Sequence, residues 1–99
     1  MRTEDEIRAV LFENQFAMNI LEMTIDQQSF TELCELLKEL ADVWQSKSEV
    51  DKETVRFIAE ILMITHNKLC FEGFDSEDKA VLIKMHTEIE SLFFEQCLV

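Results

Sequence analysis

Apolar residues recur along this chain at intervals of three and four, the period of a helix buried on one side. Four segments carry the pattern, at about residues 4–23, 30–45, 49–72 and 76–96. Their starts have capping chemistry. Thr3-Glu4-Asp5-Glu6 and Ser29-Phe30-Thr31-Glu32 read as capping boxes, Asp51 falls three residues after Ser48, and Asp75 or Ser76 precedes Glu77 and Asp78. Gly73, the only glycine, is placed to close the third helix in left-handed backbone. The polar stretches Thr24–Ser29 and Gln45–Ser48 supply turns. Short turns make consecutive helices antiparallel. The pattern therefore predicts one all-α domain over residues 1–99, an up-down-up-down antiparallel four-helix bundle.

Placing residues at 100° intervals separates the helices into two kinds. The second is cleanly amphipathic: Phe30, Leu33, Cys34, Leu37, Leu40, Ala41 and Trp44 share a face, with Glu32, Glu35, Glu39 and Asp42 opposite. The fourth gathers Val81, Leu82, Met85, Ile89, Leu92 and Phe93, and leaves Ile83 and Phe94 off the face. The first and third carry two stripes each. In the first, Ile7, Val10, Leu11, Met18 and Leu21 face one way, and Ala9, Phe12, Phe16, Ile20 and Met23 the other. In the third, Val55, Ile58, Ala59, Leu62 and Leu69 oppose Val50, Phe57, Ile61, Ile64 and Phe71. A bundle uses one stripe per helix, and large exposed apolar patches usually mark interfaces. The surplus predicts that Phe12, Phe16, Ile20, Met23, Val50, Phe57, Ile61, Ile64 and Phe71 meet another chain. A two-fold homodimer is the simplest closed arrangement. The competing arrangement makes the first and third helices central within one chain.

Charge narrows the choice of partner. The 99 residues include 21 acidic and 9 basic side chains, a net charge of −12. Phosphate backbones are bound through clustered Lys and Arg, so direct nucleic-acid or anionic-membrane binding is not expected. No apolar run reaches the ~20 residues of a membrane span. The acids Glu32, Glu35, Glu39 and Asp42 form a strip suited to solvation or to a basic partner, and Glu88, Glu90 and Glu95 add charge near the end. Cys34, Cys70 and Cys97 are odd in number and widely spaced, which predicts free thiols in a reducing, cytoplasmic setting. Cys34 is expected to be buried and inert, and Cys97, near the chain end, to be the reactive one.

The sequence carries little catalytic chemistry. There is no Glu-x-x-His of the di-iron kind, no phosphate-cradling glycine loop and no paired-cysteine zinc pattern. No cofactor or metal is expected, and the chain is not expected to be an enzyme. His66 and Asn14 fall within apolar stripes and read as buried polar groups that need partners, each other included. His86 with Glu88 and Glu90 reads as a local cluster without convergence. The expected function is a non-enzymatic interaction module, a small acidic helical regulator, inhibitor or chaperone-like adaptor. It would partner itself and a second, basic protein. The alternatives are an inhibitor that imitates DNA and a small-ligand-binding bundle around His66.

Overall fold

The computed structural model describes residues 2–71 and 73–98, Phe71 in its backbone alone. Among them the chain is helical and contains no strand. The order is α1 (Glu4–Phe12), α2 (Phe16–Leu21), α3 (Gln27–Trp44), α4 (Lys52–Phe71) and α5 (Ser76–Glu90), the last running into a π-helical segment, Ser91–Cys97.

The first expected helix is thus two helices, and Asn14 is the reason. Its Oδ1 accepts from the Phe16 amide, two residues on, at 3.0 Å. Such a side-chain turn competes with helical bonding. Its Nδ2 donates to the Ser29 carbonyl at 2.9 Å and to Glu32 Oε1 at 3.0 Å. Asn14 is buried, so the break is locked to the start of α3. The extra residues shift the apolar phase. The core positions run Ile7, Leu11, Phe16, Ile20, all fully buried, whereas Met18 and Leu21 of the original stripe are exposed. The two stripes inferred for one straight helix are one stripe interrupted by a change of phase.

Helix α4 resolves its two stripes differently. Thr54, Ile58, Ile61, Leu62 and Thr65 are buried, with Val55, Phe57, Ile64 and Leu69 packed beside them. At 100° per residue these positions fill one face about half the circumference wide. This breadth is used because α1 and α2 pack on one flank and α5 on the other.

Capping follows the sequence in part. Thr3 and Glu6 form the expected capping box, Asp51 accepts from the Thr54 amide and hydroxyl, and Asp75 accepts from the Asp78 amide. The start of α3 is set by Asp26, which accepts from the amides of Gln28 and Ser29, so the helix begins before Ser29. Gly73 has no positive φ. Among the described residues the left-handed one is Met23, φ 62°, just past α2. There the Thr24 amide donates to the Asn19 carbonyl and the Met23 amide to the Ile20 carbonyl, a Schellman closure without its usual glycine.

Directions alternate along the chain, but adjacency differs from the expected order. The close pairings are α1 with α3, α2 with α4, α4 with α5, and α3 with the π-helical segment. Asn14 at Ser29 and Arg2 at Glu39, 3.1 Å apart, make α1 and α3 antiparallel. Arg8 beside Asp51 and Phe12 against Phe57 make α1 and α4 parallel. Thr65 at His86, with Leu98 beside Val55, makes α4 and α5 antiparallel. It follows that α3 and α5 run parallel. Consecutive helices α3 and α4 lie across the diagonal, and residues 45–51 span it.

The Asn14 lock generates a test. Asn14→Ala leaves the Ser29 carbonyl and Phe16 amide without their partner, and is expected to lower unfolding stability by about 1–3 kcal/mol. Met18→Ala, at an exposed position, is expected to stay within about 0.5 kcal/mol of the parent. Urea unfolding checks both.

Candidate functional site

The residues nominated for an interface divide by burial. Phe16, Ile20 and Ile61 are core. Phe16 lies 5.6 Å, ring to ring, from Phe30 of α3. Phe12 and Phe57 are half-buried against each other at 5.0 Å, and Ile64 is half-buried beside the core. Met23 and Val50 are exposed, and the Phe71 side chain lies outside the described residues. The phase change at Asn14 takes Phe16 and Ile20 into the monomer's core, whereas Phe12 and Phe57 also line an open cleft of about 240 Å³ with Glu53, Arg56 and Glu60.

The histidine reading is corrected as well. His66 is exposed on α4, its Nε2 3.5 Å from Cys70 Sγ, and it meets no core polar group. Asn14 bonds to Ser29 and Glu32 instead. The enclosed histidine is His86. Its Nδ1 lies 2.6 Å from the Thr65 hydroxyl, its Nε2 3.5 Å from Glu90 Oε1, and its ring 6.2 Å from that of His66. The overlooked signal is the spacing of His86 and Glu90, four apart on one helix face. Burial holds His86 below its ordinary value of 6.5, with His66 adding to the effect and Glu90 opposing it.

The thiols are sorted by the fold. Burial, reinforced by Glu88 and Glu35 and opposed by Lys38, pushes Cys34 up to about 11. Burial pushes Cys97 up to about 12, and its Sγ donates to the Leu37 carbonyl at 3.3 Å. The π-helical segment turns Cys97 inward, so the terminal thiol is enclosed and Cys70 is the exposed one.

The acidic strip of α3 splits into two rows. Glu32 and Glu39 lean toward the first arm, where they meet Asn14 and Arg2. Glu35 and Asp42 are exposed and make no hydrogen bond or ion pair among the described residues. Glu35 and Glu88 both act on Cys34, and Lys38 opposes them. Two turns after Glu35, Asp42 lines a cleft of about 180 Å³ with Ala41, Gln45 and, from the arm, Glu95 and Gln96.

Among the described residues, no group of three or more His, Cys, Asp or Glu is gathered so as to hold a metal ion, and no helix is long and apolar enough to cross a membrane.

Two measurements check this arrangement. An aromatic disulfide reagent is expected to titrate Cys70 rapidly in the native protein, and Cys34 and Cys97 only after denaturation; a fast-reacting Cys97 contradicts the inward turn of the π segment. Because His86 is held below its unfolded value, stability is complete above pH 6.5 and falls as acidification protonates it. The urea midpoint should drop on that descent, before Glu6 and Asp51, held below 4.5 and 3.8, begin to titrate. His86→Gln should flatten this part of the curve. A wild-type midpoint that is level across the window contradicts the enclosed imidazole. Comparison of the chain with protein families, with curated proteins and with solved structures found no match.

Proposed function

We propose that this protein is a non-enzymatic interaction module that binds a basic protein segment along the seam between α3 and the α5–π arm. The observation that carries this reading is the cleft that Asp42 of α3 and Glu95 of the arm line together, with Glu35 exposed two turns before Asp42 on α3. Glu35 and Asp42 repeat at about 10 Å along the helix. A partner helix that presents Lys or Arg every second turn meets the same repeat. The apolar face of α3 is used internally, so its recognition surface is the charged one.

The chemistry fits docking rather than turnover. The cleft that Asp42 and Glu95 line is small, both carboxylates are exposed, and Glu95 accepts from the Ser91 hydroxyl, which ties that oxygen up as a donor. Complementary charge of this kind raises the encounter rate and fixes register, with affinity completed by apolar contacts. Regulation or sequestration of a basic partner follows from that behaviour.

The test uses a helical peptide with arginines at every second turn as the probe, followed by NMR. Amide shifts are expected to concentrate on α3 and the α5–π arm and to weaken with salt. Glu35→Lys with Asp42→Lys should reduce affinity at least about ten-fold, a loss of about 1.4 kcal/mol. Glu13→Lys with Glu22→Lys changes the net charge equally and should leave binding largely intact. Equal loss in both pairs, or shifts scattered over every helix, contradicts the reading.

A further inference from the structure

The edge between α4 and the end of the chain has the opposite chemistry. An open groove of about 820 Å³ lies there, lined by Glu49, Val50, Lys52, Val55, Arg56 and Leu98. Its floor is apolar, with Val50 and Leu98 both exposed. Lys52 and Arg56 stand one helical turn apart, and neither makes a hydrogen bond or an ion pair among the described residues. In a chain of net charge −12, two adjacent cations set against one acid, Glu49, over an apolar floor suit an apolar occupant that carries more than one acid.

The same edge carries such an occupant. Phe94 is 53% exposed, and the shallow cleft around it is lined by Glu90 and Glu95 together with Thr87 and Ser91. Phe94 comes to the surface because the π-helical turns send Leu92, Phe93 and Cys97 into the core. It stands four residues before Leu98, on the flank of the arm that includes His86 and Glu90 and faces α4. An aromatic knob flanked by two acids is thus close to an apolar groove flanked by two bases, on one side of one molecule.

We infer that this edge is a self-complementary docking surface, and that its occupant is a second copy of this chain. Each Phe94 enters the partner's groove, with Glu90 and Glu95 meeting Lys52 and Arg56 across a two-fold axis. Both halves of the contact are on the same edge, so a two-fold arrangement makes both pairs at once and closes. A stable dimer buries about 800 Å² per partner, and one side of a molecule 41 × 22 × 18 Å in extent has room for it. The inference rests on other residues than the acidic seam except Glu95, which belongs to both surfaces.

Charge exchange tests the pairing. One variant carries Lys52→Glu and Arg56→Glu, a second carries Glu90→Lys and Glu95→Lys. Either alone sets like charges against each other; mixed together, both knob-and-groove pairs are again opposite. Light scattering during gel filtration should give the parent a mass twice the 11.7 kDa of the chain. Each variant alone should run at the single-chain mass, and the equimolar mixture should return to the doubled mass. Phe94→Ser, which removes an exposed ring from outside the core, should run as a single chain with unchanged helical circular dichroism. A parent that stays single at the highest soluble concentration overturns the inference. So does a dimer that survives both charge reversals and Phe94→Ser, or a mixture that does not pair.

Discussion

One buried amide governs the architecture. Asn14 holds the Phe16 amide, the Ser29 carbonyl and the Glu32 carboxylate together. Those bonds stop α1, restart the chain as α2 and fasten the joint to α3. A straight helix could bury Ile7 and Leu11 or Phe16 and Ile20, but not all four against the same neighbours. The joint brings all four into one core. In low dielectric surroundings an unpaired amide would be costly, so a satisfied one there specifies a single arrangement.

With the apolar stripes inside, the surface is left with charge unevenly spread. The end of the bundle that holds the start of α1 and the start of α4 is clamped by Arg2 to Glu39 and Arg8 to Asp51. Away from those clamps, Asp42 of α3 and Glu95 of the arm line one cleft. Across the arm, Lys52 and Arg56 line an apolar-floored groove with Glu49 and Leu98, and Phe94 stands four residues before Leu98. The first face is acidic and the second mixes both signs with exposed apolar groups.

Much of the fold was legible in the sequence because it rests on local chemistry. The box at Thr3, the cap at Asp75 and the single-sided pattern of α3 act over one or two turns, and each is present. The strip of four acids was legible too, but only tertiary packing divides it into Glu32 and Glu39 on one flank and Glu35 and Asp42 on the other. The break at Asn14 was missed because an apolar phase change looks like a second stripe when the helix is assumed straight. The five-residue step from Leu11 to Phe16, with an asparagine within it, was the available signal. Exchange of His66 for His86 as the enclosed imidazole, and of Cys97 for Cys70 as the exposed thiol, depended on which flank of α4 meets α5 and on the π-helical turns. Neither is written in a 3.6-residue period.

The central claim is that the aromatic surplus is satisfied within one chain, leaving a different edge for contact between chains. Isotope-filtered NOE spectroscopy on a mixture of labelled and unlabelled protein separates contacts within a chain from contacts between chains. The account predicts that Phe16–Phe30 and Phe12–Phe57 contacts arise within one chain, and that Phe94 with Val50 and Leu98 gives contacts between chains. Contacts of Phe12, Phe16 or Phe57 across chains would contradict it.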